Sequence, residues 1–434
     1  MRISTSMLHE RAVTGVLQQQ TAQLQLQEQI ATGRRVSKPS DDPVASAAAV
    51  NLEQAKALNL QWGTNAANAE SALALEEQAL GDATRILQDI KTLTIQSGNA
   101  ALQNSDRASI ASEIRGLYDE MLGVANRTDG NGSYLFSGYQ GSTQPFSESA
   151  PGVVGYAGDD GKRLVQIGAQ RRVAIGDSGA DIFQRVREGN GTFVATPGGA
   201  NTGAAVVGTT TVRDAQAWAS AANSRDYTVS FHVDNASPPV TTYDIVDNVA
   251  NVSMLTGAAP AAGPHARTYQ PGAQISLTRQ ASDPSVAPWN AGVEFAVTGA
   301  PASGDTLAIE RAQNQDVFSS INELITTLSA GVALGATSRA AFQNSLNQSG
   351  ADIDGALDAM LTARSSVGSR MQELDSVRDT SAALDINYEA DLKRLQDLDY
   401  AKALSDLSRK QIGLEAAQKS YVAITRMTLF DFLK

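Results

Sequence analysis

Small and apolar residues recur at alternating spacings of four and three residues near both ends of this 434-residue chain. The first series is interrupted only at Glu76 and consists of Trp62, Ala66, Ala69, Leu73, Leu80, Ala83, Leu87 and Ile90. The second series consists of Met360, Val367, Met371, Leu374, Tyr388, Leu392, Leu395, Tyr400, Ala403, Leu407, Leu414, Ala417, Tyr421 and Ile424. An average spacing of about 3.5 residues places side chains along one helix face, where they can pack against another helix. The pattern therefore predicts long packed helices at both ends of the chain.

A helix end and a helix start follow each other between Gly33 and Pro43. Gly33 can end the first helix, and Pro39 prevents its simple continuation. Asp42 is a favourable N-cap, and Pro43 suits the first position of a helix. We therefore expect a first helix that ends near Gly33 and a long second helix from Pro43 to about Ser97.

The first helix lies in a segment rich in Gln, Thr and Ala and has a narrow apolar face. So little apolar surface does not offset the entropy of ordering an isolated helix. We expect this helix to form when a partner covers its apolar face, and the richer series beyond Tyr400 is the natural partner. The residues predicted to form the seam between these inner helices are Val13, Leu17, Leu24, Leu407, Leu414 and Tyr421.

A third helix is expected to begin near Asn104 and to stop at the strong turn signal Thr128–Gly132. The next segment, Ser133–Tyr139, reads as a short strand that forms one arm of a hairpin. Tyr134 and Phe136 are the large aromatic residues in the first half of this segment.

From about Gly141 the composition changes to Gly, Pro, Val and Thr. Tyr227, Val229, Phe231 and Val233 alternate with other residues, which places them on one face of a half-buried strand. Further strands are predicted at Thr241–Ile245, Ile275–Thr278, Val293–Val297 and Thr306–Glu310. The middle of the chain is thus expected to be an antiparallel β domain.

Helical spacing resumes near Asp316 with a short helix, and a long helix is expected from about Ser338. The predicted fold class is α+β and multidomain. Both termini build a long antiparallel helical rod or coiled coil, and the antiparallel β domain is inserted between them.

Composition limits the chemistry that this chain can perform. The net charge of −12 argues against nucleic acid or an anionic membrane as the main partner, so we expect no nucleic-acid binding. The absence of cysteine excludes disulfides and thiolate metal sites. No stretch approaches the roughly 18 apolar residues of a membrane span, and the N-terminus has no continuous apolar region of a signal peptide. We expect no membrane insertion.

Each candidate for catalysis also has a structural interpretation. Asp41 and Asp42 resemble an acid/base pair, but adjacent carboxylates before a proline are more often a helix cap. Asp159–Gly161 lacks the spaced oxygen ligands of a calcium loop and reads as a turn. His232 lies on the opposite face of its strand from the apolar residues, so we expect it to face solvent. The chain is not expected to be an enzyme, to bind a cofactor or to hold a metal.

Short motifs at the two ends carry a family resemblance. Those in roughly residues 1–140 are Ile30–Val36, Ser40–Pro43 and Asn131–Gly138. Those in about residues 311–434 are Val367–Arg370, Leu398–Ala401, Leu404–Ser408 and Thr428–Leu433. In their order and spacing, on either side of a variable middle, they resemble the flagellin superfamily. Within it, Asp41–Pro43, Tyr134–Gly138 and the aromatic residues Phe430 and Phe432 resemble the proteins that join the flagellar hook to the filament.

The resemblance implies three domains and a mechanical function. Residues 1–42 with 385–434 would form a helical inner domain that is ordered on assembly. Residues 43–140 with 311–384 would form a helical rod domain with a hairpin, and residues 141–310 an outer β-rich domain. The function implied is that of a structural adaptor ring between hook and filament.

The resemblance also implies partners and a location. The partners would be further copies of the chain in a ring, hook-associated protein 1, flagellin and an export chaperone that binds near the C-terminus. The chain would be secreted to the bacterial flagellum through the type III apparatus, without a cleaved signal peptide. Two alternatives stay open at this point: a flagellin that forms the filament itself, and a surface adhesin that uses the β domain.

Overall fold

The computed structural model describes residues 5–234, 236–285 and 287–426. Phe430, Phe432 and the side chain of Ile424 lie outside the described part. The α-helices are α1 (Thr5–Thr32), α2 (Pro43–Ser97), α3 (Asn104–Ala125), α4 (Ala215–Ala219), α5 (Val317–Ala330), α6 (Ala336–Gln396) and α7 (Tyr400–Arg426). A short π-helical turn spans Ala180–Gln184.

The strands are short and fill the middle of the chain. They are β1 (Phe146–Ala150), β2 (Val153–Tyr156), β3 (Leu164–Gln166), β4 (Arg172–Ala174), β5 (Val186–Arg187), β6 (Phe193–Pro197), β7 (Val206–Val212), β8 (Asp226–Val233), β9 (Thr241–Asp247), β10 (Val252–Ser253), β11 (Arg267–Thr268), β12 (Gln274–Thr278), β13 (Asn290–Thr298), β14 (Thr306–Arg311) and β15 (Asn314–Gln315). Terminal helices around an inserted antiparallel β region confirm the predicted fold class.

Contacts within the chain divide it into two compact units. The terminal unit comprises Met1–Ala67, Gln166–Arg171 and Leu374–Lys434, and the central unit comprises Asn68–Val165 and Arg172–Glu373. Helices α2 and α6 contribute residues to both units. The finer division into inner, rod and outer domains stays a prediction.

The apolar series that begins at Trp62 forms the buried face of α2. From Ala66 to Ile90 its small and apolar members are at most 1 % exposed. The predicted helical face is therefore confirmed. The interrupting residue, Glu76, is also buried at 2 % exposure.

Helices α2 and α6 run antiparallel. Two ion pairs within the central unit show this direction, and in one of them Lys91 Nζ lies 2.5 Å from Asp354 Oδ1. In the other, Arg364 Nη2 lies 2.6 Å from Glu77 Oε1. Partner numbers fall on α6 as they rise on α2, which is the antiparallel arrangement expected from the sequence.

Two sheets enclose the core of the β region. One has the order β10-β9-β8-β14-β6, with β11 also paired to β9, and the other has the order β12-β13-β7. Phe231 of β8 and Phe295 of β13 are among the buried residues of this core. The predicted strands within β8, β9, β12, β13 and β14 are confirmed. The chain changes sheets between β13 and β14, although these strands are consecutive.

The predicted strand at Ser133–Tyr139 is wrong. Only an isolated bridge between Thr128 and Tyr134 forms there, and turns follow. Gly132 and Gly138 both adopt positive φ angles, of 91° and 68°, which bend the backbone away from an extended strand. Phe136 is instead fully buried, and its ring packs edge-on against Phe183 at 5.4 Å between centroids.

His232 lies on the face of β8 opposite the buried Tyr227 and Phe231, as expected, and it is partly exposed there. Its ring centroid lies 6.0 Å from that of His265, and its Nδ1 atom lies 3.3 Å from Ser303 Oγ. Both neighbours lie outside the β-strands, and they account for part of the burial of the His232 ring.

Candidate assembly surface on the terminal helices

Helix α7 packs against α1 through the face that its apolar series predicts. Ala403 is 3 % exposed, and Leu407, Leu414 and Tyr421 are half-buried along the same face. The two helices are in contact over much of their length. The C-terminal series is therefore the packing partner of α1, as expected.

The face of α1 that meets α7 differs from the one expected. Leu26 is buried, and Val13, Val16 and Ile30 are half-buried. Sequence reasoning missed Val16, Leu26 and Ile30, although the four-residue spacing from Leu26 to Ile30 is a signal for one helix face. Of the residues predicted for the α1 seam, only Val13 lies on the covered side.

Leu17 and Leu24 are exposed, at 56 % and 65 %. Successive residues of a helix are about 100° apart, so Leu24 and Leu26 point to nearly opposite sides of α1. Within one chain, Leu17 and Leu24 therefore do not contribute to the packing of α1 on α7. Their role as contacts between copies stays a prediction.

The terminal unit exposes many large apolar side chains for its size. Those in its described part are Met7, Leu17, Leu24, Val44, Val50, Leu58, Leu60, Leu384, Ile386, Tyr400, Leu404, Ile412 and Val422. The larger central unit exposes fewer, namely Ile95, Tyr139, Val153, Leu164, Val240, Val249, Leu334 and Leu361. Single exposed apolar residues are ordinary, but such an accumulation in a small unit is typical of a surface that packs against other protein.

The step after α1 is fixed by contacts with the segment between α6 and α7. The Arg35 N–H donates to Gln396 O at 2.7 Å, and the Leu398 N–H donates to Gly33 O at 3.0 Å. Arg35 also donates from Nη2 to Leu395 O at 2.8 Å. The end of α1 and the start of α7 are thereby held together, which orients both helices.

Asp41 and Asp42 act as backbone caps. Asp41 Oδ2 accepts hydrogen bonds from the N–H groups of Lys38 and Ser37, at 2.9 and 3.1 Å. Asp42 Oδ1 accepts one from the Ala45 N–H at 3.0 Å, and α2 begins at Pro43. These donors hold the pKa of both carboxyls below the ordinary range, with the Lys38 and Ala45 amides as the largest causes. Both groups therefore stay ionised, which suits a cap rather than proton transfer.

Two features are absent from the described residues, namely a cluster of metal-ligating side chains and a membrane span. In residues 5–234, 236–285 and 287–426, no three His, Asp or Glu side chains are grouped so that they could hold a metal ion. Within the same ranges, no helix combines the length and the apolar character that crossing a membrane requires.

The two ends of the chain are similar to known protein families. Residues 3–141 match the bacterial flagellin N-terminal helical region, and residues 351–433 match the C-terminal helical region. Flagellar hook-associated protein 3 of Salmonella typhimurium is 38% identical over 186 residues, which are 43% of this chain and 58% of that protein. The chain spans about three fifths of the length of the curated relatives that it matches.

Solved structures are similar over a larger share of the chain. A crystal structure of FlgL from Xanthomonas campestris is 31% identical, with a TM-score of 0.61, and the match covers 76% of this chain and 99% of that one. Flagellar hook-associated protein 3 from Legionella pneumophila is 30% identical, with a TM-score of 0.67, and the match covers 79% of this chain and 98% of that one. The matches cover nearly the whole of both solved chains at 30% identity or more. This chain therefore belongs to the flagellin superfamily and, within it, to the family of flagellar hook-associated protein 3.

Proposed function

We propose that this chain is a structural component of the bacterial flagellum that forms the adaptor between hook and filament. The observation that carries the proposal is the likeness to hook-associated protein 3 over nearly the whole of its solved structure. The function would be mechanical coupling without catalysis. The exposed apolar side chains of the terminal unit support a role that depends on packing against other protein.

Assembly would bury the free faces of α1 and α7. Leu17 and Leu24 on α1, and Leu404 and Ile412 on α7, are exposed in the single chain. Complete burial of such a side chain contributes about 1.5–3 kcal/mol, so a few of them per contact are enough to order helices that are marginal alone. Once a neighbouring copy covers these side chains, they are no longer available for non-specific aggregation.

The proposed partners are further copies in a ring, hook-associated protein 1 on one side and flagellin on the other. Before assembly, an export chaperone would cover the apolar face of the C-terminal helix. The chain would be secreted to the hook–filament junction without a cleaved signal peptide. In this proposal the inner domain is residues 1–42 with 385–434, and the β-rich domain at 141–310 faces outward.

Substitution of Leu407 and Leu414 by Asp tests the assembly surface. Both side chains are half-buried on the face of α7 that meets α1, so two carboxylates there should separate the helices and prevent incorporation into flagella. The β region should remain folded, because its core lies in the central unit. Gln411→Asp is the matched control, since Gln411 is exposed on the same helix. Normal filaments from the Leu407→Asp, Leu414→Asp variant would contradict the assembly role.

A deletion strain tests the junction role itself. Cells without the chain should make hooks that carry no filament and should shed flagellin into the medium. Immunogold labelling of the complemented strain should mark one point at the distal end of the hook. Label along the whole filament would instead identify a filament subunit, and unchanged filaments in the deletion strain would refute the junction role.

A further inference from the structure

Residues 177–191 form a strap that packs on helices of the central unit. Its middle is anchored by Phe183, which is fully buried and lies 5.4 Å, between ring centroids, from both Phe136 and Phe146. Its later part contains β5, and the carbonyl oxygen of Arg187 would lie 2.7 Å from a Cβ placed on Gly355 of α6. The strap backbone therefore lies directly on the surface of α6.

Two buried carboxyls hold the two ends of the strap. Glu76 of α2 is 2 % exposed, and its Oε1 accepts a hydrogen bond from the Asp177 N–H at 3.0 Å. Asp352 of α6 is 3 % exposed, and its Oδ1 accepts one from the Gly189 N–H at 2.7 Å. Each carboxyl reaches the strap from a different helix, and together they bracket the segment.

Glu76 sits in surroundings that disfavour its charge. Its Oε2 is buried and has no hydrogen-bond partner among the described residues. Burial first, and the neighbouring Asp177 carboxylate second, raise the pKa of Glu76 to about 7, against the opposing effect of the Arg370 guanidinium. Asp177 is itself paired with Arg370 and, at 3.1 Å, with Lys162. Both cations form ion pairs with Asp177, and no ion pair to Glu76 is found among the described residues.

Asp352 is in a similar position at the other end. Burial is the largest cause that raises its pKa to about 6, and the like charges of Glu188 and Glu323 add to it. The opposing donors are the Gly189 N–H and the side-chain amide of Gln348, whose Nε2 lies 3.0 Å from Oδ1.

We propose that Glu76 and Asp352 are a pair of proton-sensitive clasps that hold the strap on α2 and α6 when they are protonated and loosen it when they are ionised. In the docked strap both carboxyls are out of water, which penalises the charged form. When the strap lifts, water solvates them, and they ionise near their ordinary values of 4.5 and 3.8. The docked state therefore binds protons more tightly than the lifted state. Its extra stability is complete below the ordinary values and is lost as pH rises toward 7.

Hydrogen–deuterium exchange of the full chain tests this device. Protection of peptides covering residues 174–192 is measured from pH 5 to pH 8 and corrected for the intrinsic exchange rate at each pH. Protection of the strap should fall by at least about ten-fold over this interval, because each raised pKa weakens docking as its proton is lost. Peptides from β8 in the sheet core report global unfolding and should not change in parallel.

The variant Glu76→Gln, Asp352→Asn keeps both carboxyl shapes without their charge. Its strap should stay protected at pH 8 at the level that the unaltered chain reaches at pH 5. Glu77→Gln, Asp354→Asn is the matched control, because these neighbours are partly exposed and pair with Arg364 and Lys91, so the pH dependence of the strap should stay intact. If the double variant fails to fold, Glu76→Gln alone should remove the pH dependence around Asp177 only. Two results would overturn the proposal. One is protection of the strap in the unaltered chain that does not vary with pH, and the other is protection that varies with pH as much in the Glu76→Gln, Asp352→Asn variant as in the unaltered chain.

Discussion

A Cβ atom placed on Gly33 would lie 2.9 Å from the hydroxyl oxygen of Tyr400. Gly33 follows α1 with a φ of 70°, and Tyr400 is the first residue of α7. The two residues meet where the ends of the terminal helices are joined by hydrogen bonds. Glycine is thus required there both for its backbone angle and for the space that it leaves.

Gly33→Ala should lower the free energy of unfolding of the terminal unit by about 1–2 kcal/mol, which is the cost of a left-handed conformation for an L-residue, with a further steric cost from Tyr400. Denaturant unfolding followed by circular dichroism measures it. Gly15→Ala is the control, because a Cβ at that helical position meets nothing within 4 Å. That substitution should stabilise the chain by about 0.5–1 kcal/mol. Equal effects of the two substitutions would mean that the step does not need glycine.

Leu24→Asp and Leu26→Asp should separate assembly from folding. Leu26 is covered by packing, whereas Leu24 is 65 % exposed. A carboxylate at Leu26 should detach α1 from α7 and reduce the helix content of the isolated chain, because a charge is buried without a partner. A carboxylate at Leu24 should leave helix content unchanged and still prevent incorporation into flagella. Helix content is read by circular dichroism and incorporation by electron microscopy; full incorporation of the Leu24→Asp variant would remove this face from the assembly surface.

Asp283→Ala should destabilise the β region by about 3–5 kcal/mol, as expected when one partner of a buried ion pair is removed. Arg267 and Asp283 are almost completely buried, and Arg267 Nη2 lies 2.7 Å from Asp283 Oδ2. Thermal unfolding of the variant and of the unaltered chain measures this loss of stability. Asp89→Ala is the control, since the Arg85–Asp89 pair is half exposed and should contribute less than about 1 kcal/mol.

The Arg267–Asp283 pair also predicts that the stability of the folded chain falls at acid pH. Burial opposes ionisation of Asp283, but hydrogen bonds from Arg267 and the Gln280 N–H outweigh it and lower the pKa. A lowered pKa stabilises the folded state above the ordinary value of 3.8, and this stability is lost as pH falls below it. The unaltered chain should therefore lose more stability between pH 5 and pH 2 than Asp283→Ala does. Parallel curves would show that Asp283 does not titrate with folding.

Leu80→Ala should cost about 2–5 kcal/mol, because it opens a cavity in the buried face of α2. Leu80 is fully buried, whereas Ile95 on the same helix is 69 % exposed. Ile95→Ala should therefore change the free energy of unfolding by less than about 1 kcal/mol. Urea unfolding of both variants checks the assignment of the α2 face, and a larger loss at Ile95 than at Leu80 would contradict it.

Long-range contacts explain where sequence reasoning about the helices succeeds and where it stops. The start of α2 follows from Asp42 and Pro43, and its buried face follows from an apolar series that only Glu76 interrupts; all of these are local signals. The interruption between α6 and α7 has no such signal, because the apolar series continues past it. It depends on hydrogen bonds to Gly33 and Arg35, which are distant in sequence.

The β region shows a similar limit. Strand β8 is readable because Tyr227, Val229 and Phe231 alternate on one buried face. Strands β3 and β4 have three residues each and expose much of their length, so they carry too few positions for a period to appear. The segment around Phe136 looks like a strand by its residue types, but its glycines decide the backbone.

The assembly surface could be predicted on α7 but only in part on α1. The apolar residues of α7 fall on one face, so their spacing identifies it. On α1 the large apolar residues lie on two sides of the helix, and of two neighbouring leucines Leu24 is exposed whereas Leu26 is buried. Spacing alone does not decide which side meets α7, because that choice depends on the partner helix.

The chain enters and leaves the β region through two paired strands, β5 and β15. Arg187 of β5 is paired with Asn314 of β15, and the Glu188 N–H donates to Gln313 O at 3.1 Å. The segment between these two strands has more than a hundred residues, and its two ends are therefore adjacent in space. The same segment also rests on α6, because the Val207 N–H donates to Asn344 Oδ1 at 2.8 Å and Asn347 Nδ2 donates to Val207 O at 2.8 Å. A shorter or longer substitute for the segment would therefore have to preserve the paired strand ends and also fill these hydrogen-bonding positions on the helix.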